Sequence, residues 1–225
     1  FVAKATGIPV ANIATKVMTG QSLRDLGVTE EPIPRHVSIK ESVFPFRKFA
    51  GVDIVLGPEM RSTGEVMGIS EQFSMAFAKS QLAAGTVLPD SGKVFLSLQP
   101  RHKDAAAKLG ADIQSLGFEL LATAGTAAKL EEAGVPVTRV KKIAEGHPNL
   151  IDYLKNDDVQ LILNTPSGKG ARTDEGKIRA AGVQHGVPCI TTMAAAEAAV
   201  RAMQAMRNTN MDVESLQTRY ARDQA

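Results

Sequence analysis

KVFLSL (93–98), FELLATAGTA (118–127) and VQLILNTPSGKG (159–170) decide the fold. Each begins as a short apolar run and ends in Thr, Asn, Ser or Gly. A run of this length without polar alternation reads as a strand buried on both faces, the mark of a parallel sheet. Working outward, further strands are expected at 137–143 and 188–190. Between them lie helical stretches. Residues 101–116 carry Ala106, Leu109, Ile113 and Leu116 on one face, and 126–133 end at Gly134. Pro148 opens a short helix through Leu150, Ile151 and Leu154. Residues 173–185 are helical, Thr192 caps an Ala-rich helix to Met206, and 208–225 read as a tail or final helix. Five strands alternating with five helices predict an α/β fold, a doubly wound parallel five-stranded sheet. Ligands of such sheets sit at the carboxyl ends of the strands.

Residues 1–84 read differently. Residues 8–20 form a short helix with Val10, Ile13 and Val17 on one face, and 21–27 a further turn. Pro32 and Pro34 break the chain, 36–49 are extended, and 51–68 are loop-like. Ser70 is placed to cap a helix to Ala84 with Phe73 and Phe77 on its buried face. This stretch, of mixed α and β character, buries little core of its own and is expected to pack against something else. The turn-rich joint GTVLPDSG (85–92) divides 1–84 from 85–225. The chain opens Phe-Val-Ala-Lys, with neither Met nor a leader, which reads as a piece of a longer polypeptide.

Composition narrows the function. Of 225 residues, 44% are apolar and 22% charged, ordinary for a globular protein. Lys and Arg number 26 against 24 Asp and Glu, and neither side of Gly85 carries the basic excess of a nucleic-acid binder. No apolar run of about 18 residues exists to span a membrane. One Cys and four His argue against a disulfide framework, a thiolate zinc site or a His-rich metal cluster. No Ser-His-Asp arrangement or nucleophile elbow is visible.

The strand-end loops carry the chemistry. Thr123-Ala124-Gly125-Thr126 offers backbone N–H groups, two hydroxyls and the positive end of a helix, a small anion cradle. Its alternative is a tight turn with Thr126 as N-cap. Arg101, His102 and Lys103 follow the first strand, and Lys141 and Lys142 end the third. Strand alternation allows only one of that lysine pair to face the cradle. Cations from neighbouring strands flanking the cradle suit a phosphate. Asn164 and Ser167 are suited to hydrogen bonds with a ribose or base edge, and Gly168 and Gly170 let their loop close. Gly168-Lys169 is followed by Gly170, so this is not a P-loop. Cys189 reads as a small buried apolar residue.

With these residues in place, the chain resembles the carboxyl-terminal portion of the carbamoyl-phosphate synthase large subunit. The resemblance is carried by FVAKATGIPVANIATKVMTG (1–20), VSIKESVFPF (37–46), GPEMRSTGEVMG (57–68), GFELLATAGTA (117–127), EGHPNLIDYL (145–154) and NTPSGKG (164–170). It implies that 1–84 end the second ATP-grasp unit and that 85–225 are a methylglyoxal-synthase-like allosteric domain. The complete enzyme would be a cytoplasmic, ATP-dependent ligase using Mg or Mn, with a glutamine-amidotransferase small subunit. It would make carbamoyl phosphate for pyrimidine and arginine biosynthesis. The catalytic and metal-binding carboxylates would lie upstream of Phe1, so 1–225 alone would be inactive and hold no cofactor. The family's allosteric domain binds UMP as inhibitor and IMP as activator. Position by position, Lys103, Thr123, Thr126 and Lys142 match its phosphate site, with Ser97 nearby, and Asn164 matches a nucleoside contact. Pro166 stands where a Thr is frequent. Glu41 and Thr191 match an ornithine-type site, but Cys189 and Ile190 stand where a Tyr and an Asp are expected. Arg61, with Glu59 or Glu65 as partner, is assigned a structural or inter-domain role. Two other readings compete with effector binding. One is a methylglyoxal-forming lyase, for which 165–176 offer Asp174 and Glu175 but no His. The other is a self-association module forming a homo-oligomer.

Overall fold

A computed structural model describes residues 1–44, 62–165 and 173–223. Its centre is a parallel sheet of β3 (Lys93–Leu98), β4 (Glu119–Thr123), β5 (Thr138–Val140), β6 (Leu161–Thr165) and β7 (Cys189–Ile190). Their spatial order is β5-β4-β3-β6-β7. From β3 the chain steps outward through β4 to β5, then returns to the other side of β3 for β6 and β7. The loops leaving β3 and β6 therefore diverge, and the register pairs Ser97 with Asn164 at that divergence. Crevices at such a switch point are where open α/β sheets bind ligands.

Both faces of the sheet are covered. Val94, Leu96, Leu120, Ala122, Leu161 and Leu163 pack beneath α4 (Lys103–Ser115), α5 (Ala124–Glu132) and α8 (Met193–Asn208). Phe95, Leu121 and Ile162 pack beneath α6 (Leu150–Lys155) and α7 (Asp174–His185). The two-residue side-chain period assigns each strand residue to one core or the other. Double coverage is why β3 and β6 lack polar alternation. The helix ends follow local chemistry. Thr173 and Thr192 accept N–H bonds from Gly176 and Ala195, capping α7 and α8. Asn149 accepts from Ile151, and the Asp152 carboxylate reaches back to the Asn149 N–H, a capping box for α6.

Before the sheet come α1 (Val2–Thr6), α2 (Val10–Met18), an antiparallel pair β1 (Val37–Val43) and β2 (Gly64–Ser70), and α3 (Phe73–Ala83). A last helix, α9 (Leu216–Asp223), ends the chain. Met75 and Ala78 of α3 join the core formed with α8. Among the described residues no helix is long and apolar enough to cross a membrane.

Several local expectations are corrected. Residues 64–68, expected as loop, belong to β2, because β1 needs a ladder partner and β2 supplies it. Ser70 ends β2 and does not cap α3, whose N-cap is Gln72. Phe73 is half exposed: it stacks on Phe77 with ring centroids 6.3 Å apart, and Met75, Ala76 and Ala78 form the buried face. The third strand of the sheet stops at Val140, three residues short of its expected end. Residues 45–49, Glu59 and Arg61 lie outside the described residues. Glu65, read as a partner for Arg61, pairs with Lys40, and that ammonium holds its carboxyl below the usual carboxylate range.

Candidate functional site: a cationic crevice at the carboxyl edge

Strand parity builds the site. Ser97, Thr123 and Asn164 share the face of Phe95, Leu121 and Ile162, and they end three adjacent strands. The Thr123 hydroxyl donates to Ser97 Oγ over 3.5 Å. Thr123 is the N-cap of α5, with φ −67° and ψ 152°, yet its side chain makes no capping bond. Thr123 thus leaves the first-turn N–H groups of α5, the positive end of the helix dipole, without a cap from its own side chain. Thr126, expected as the alternative N-cap, lies inside the first turn. It is fully buried, and its Oγ1 accepts the Leu98 N–H at 3.0 Å. Thr165 does the same for Gln99 at 3.0 Å. These two hydroxyls fix the end of β3 from either side.

Lys103 begins α4 and lies across this helix end. A Cβ on Gly125 would overlap the Lys103 Nζ and stand 3.2 Å from its Cε. The missing side chain at Gly125 is therefore what lets the ammonium rest on the α5 N-terminus.

Ser97, Thr123, Lys141, Lys142, Asp174 and Glu175 supply the polar lining of a cavity of about 210 Å³, with Phe95, Ile143, Leu150 and Ile178 as its apolar wall. Both Lys141 and Lys142 are among its lining residues. Beyond Val140, Lys141 still bridges Asn149 in parallel and Lys142 keeps an extended backbone, with φ −65° and ψ 155°. They differ in engagement. Lys141 Nζ donates to the His147 carbonyl. The Lys142 amine makes no hydrogen bond or ion pair among the described residues, while its backbone N–H donates to Glu145 at 3.0 Å. Asp174 accepts the Ala144 N–H at 3.4 Å, tying α7 to the turn after Lys142.

Asn164 is fully buried. Its Nδ2 donates to the Glu175 carbonyl at 3.5 Å, and its Oδ1 has no partner among the described residues. An unsatisfied buried acceptor costs about 1–3 kcal/mol and is a demand for a donor. Pro166, Ser167, Lys169 and the rest of that loop lie outside the described residues. The cavity lining thus carries both charges, Lys141 and Lys142 together with Asp174 and Glu175, while Lys103, Gly125 and Asn164 lie beside it and are not among its lining residues.

The remaining sequence candidates lie apart from this crevice. The Glu41 carboxylate, on β1, accepts from Gln81 Nε2 at 2.9 Å, and burial pushes its pKa up. No hydrogen bond joins it to Thr191, which precedes α8. Burial pushes the Cys189 thiol up to about 12, so it is no nucleophile near neutral pH. Among the described residues no group of three His, Cys, Asp or Glu side chains is placed to hold a metal ion. Lys141, Asp174 and Glu175 are the lining residues that sequence reasoning did not assign to the nucleotide. The acidic opening of α7, read against the position of β6, was the available signal.

Comparison with known proteins adds the family. Residues 105–191 match the MGS-like domain. The carbamoyl phosphate synthase large chain of Rhodopirellula baltica is 81% identical over 99% of this chain and 21% of its own length. Those of Nostoc sp. and Archaeoglobus fulgidus are each 50% identical over 96% of this chain and 20% of theirs. The chain spans about a fifth of the length of the relatives it matches. Residues 105–191 are thus similar to the MGS-like domain family, in a chain whose sequence is similar to the corresponding fifth of carbamoyl phosphate synthase large chains.

Proposed function

We propose that the chain is the effector-binding part of a carbamoyl phosphate synthase large chain. The crevice receives a nucleoside monophosphate, UMP or IMP. The phosphate dianion sits at the α5 N-terminus, held by the Lys103 and Lys142 amines, the Ser97 and Thr123 hydroxyls and the first-turn N–H groups. Thr126 supports this end by anchoring β3, with its hydroxyl proton left to donate. Asn164 Oδ1 and Ser167 take the nucleoside. The observation that carries the reading is the Lys103 amine lying on an uncapped helix end. Anions bind such ends through converging N–H groups and the helix dipole.

In the whole protein, residues 1–84 close the second ATP-grasp unit and 85–225 regulate it. The remainder of the large chain carries ATP and Mg or Mn and makes carbamoyl phosphate from bicarbonate, ammonia and two ATP. A partner subunit releases the ammonia from glutamine. Effector binding acts by its differential affinity for two states of that unit.

Calorimetric titration with UMP and with uridine tests the binding reading. UMP is expected to bind and uridine, lacking the dianion, to bind at least about tenfold more weakly, as loss of a charge-assisted contact implies. Equal affinities, or no heat from UMP and IMP alike, contradict it. The carboxylates of Asp174 and Glu175 beside a phosphate site favour one second reading, a lyase acting on dihydroxyacetone phosphate. Among the described residues no His lines the crevice. Methylglyoxal formed by the purified chain would establish that alternative.

A further inference from the structure

The last residues of the chain return to its first. Asp212 accepts from Lys79 of α3 at 2.7 Å, and that ammonium holds the Asp212 carboxyl below the usual range. Arg222 of α9 stands 3.3 Å from Glu71, in the turn before α3, and 3.5 Å from Glu214. Arg219, almost wholly buried, pairs with Glu214 at 2.8 Å. Lys79–Asp212 and Arg222–Glu71 thus cross the seam, and Glu214 ties Arg219 and Arg222 together within the tail. On the other side of α9 the Tyr220 hydroxyl donates to the Lys4 carbonyl, and its ring lies 3.3 Å from where a Gly7 Cβ would stand. Gly7 has φ +75° and closes α1 in the left-handed region that favours glycine. Met211 packs on the core that includes α8. Neither α2 nor the 19–35 stretch contributes a buried residue, and in α1 only Ala5 is buried. The first 35 residues therefore have little core of their own.

We infer that residues 211–223 form a latch that holds the amino-terminal segment on the sheet domain. The latch is the continuation of α8, which begins directly after β7 at the carboxyl edge of the sheet. Resting on the effector reading above, it is also the route by which a ligand in the crevice is felt by α1 and α2. Apart from the buried Arg219–Glu214 pair within it, the latch consists of ion pairs with at least one exposed partner and one ring contact, weak pair by pair and cooperative as a set. It opens without unfolding the sheet.

Hydrogen exchange on the whole chain, without and with saturating UMP, tests this. In Asp212→Lys and in Tyr220→Ala, peptides covering 2–18 are expected to exchange at least about tenfold faster than in the unaltered chain, while β3, β4 and β6 keep their protection. Lys79→Asp combined with Asp212→Lys restores slow exchange in 2–18. That restoration separates loss of the latch from general damage. UMP affinity stays within about twofold in every variant, and protection of 2–18 induced by UMP disappears in the two single variants. Unchanged exchange of 2–18 in both single variants without ligand overturns the latch, whatever UMP does. Intact UMP-induced protection in an opened variant overturns the transmission route alone. Failure of UMP to bind the unaltered chain counts against the effector reading and the route, and leaves the ligand-free comparison to decide the latch.

Discussion

A methyl group at Gly125 would occupy the space now taken by the Lys103 amine. The blocking atom is the far end of a flexible side chain, so Gly125→Ala displaces it at little cost. Alanine in a helix is also better than glycine by about 0.5–1 kcal/mol. The variant is therefore expected to melt no lower than the unaltered chain while binding UMP about tenfold more weakly, read by calorimetry alongside a thermal melt. Cys189 offers a second check at this scale. With its thiol pushed up to about 12, alkylation at pH 8 should be slow in the folded chain and fast in denaturant. Rapid labelling of folded protein would show an open β7 edge. Glu41 offers a third. Its folded pKa lies above the ordinary 4.5 because burial disfavours the anion. Its cost is absent below pH 4.5, where it is protonated in both states, and complete above the folded pKa. Glu41→Gln keeps an acceptor for Gln81 and removes that cost. It should stabilise the chain at pH 7 and change little near pH 3.5, by chemical denaturation. The reverse order would contradict the burial argument.

Among the elements, the central strands were the most legible. KVFLSL and VQLILN announced strands buried on both faces, and parity alone aligns Ser97, Thr123 and Asn164 on one side. Ile162 is fully buried between β6 and α7, so Ile162→Ala should cost about 2–5 kcal/mol by urea denaturation. A cost under 1 kcal/mol would mean that face is loosely packed. β2 was illegible for a physical reason. Gly64, Glu65 and Gly68 dilute its β-formers Val66 and Ile69 and break the alternation, and its pairing partner lies 20 or more residues away. Gly68 is there for close approach: a Cβ would collide with the Ala76 carbonyl and the Ser80 N–H of α3. Where β5 stops depends on tertiary pairing rather than local pattern: its ladder with β4 ends at Val140, and Lys141 goes on to bridge Asn149. Nor could the sequence show that Thr126 binds the Leu98 N–H, since that bond spans 28 positions.

At the scale of the whole molecule, the sheet, its helices and its switch point follow from hydropathy. Joining α3 and α9 to it does not. Met75 and Ala78 enter the α8 core, and Asp212, Arg219 and Arg222 pair with residues that no local sequence pattern marks. Only the fold makes them neighbours. The functional reading likewise came in two grades. The Thr-Gly-Thr turn with flanking lysines was legible as a candidate anion cradle, whereas the carboxylates of the crevice required α7 to be placed over β6. The proposed site requires two ammonium groups, from α4 and from the end of β5, to converge on a single phosphate. The most direct measurement is the UMP dissociation constant of the unaltered chain, Lys103→Ala, Lys142→Ala and the double variant. Each single change should weaken binding about 10- to 100-fold with the fold intact, and the double change should depart from additivity. Unchanged affinity in both single variants would contradict the convergence.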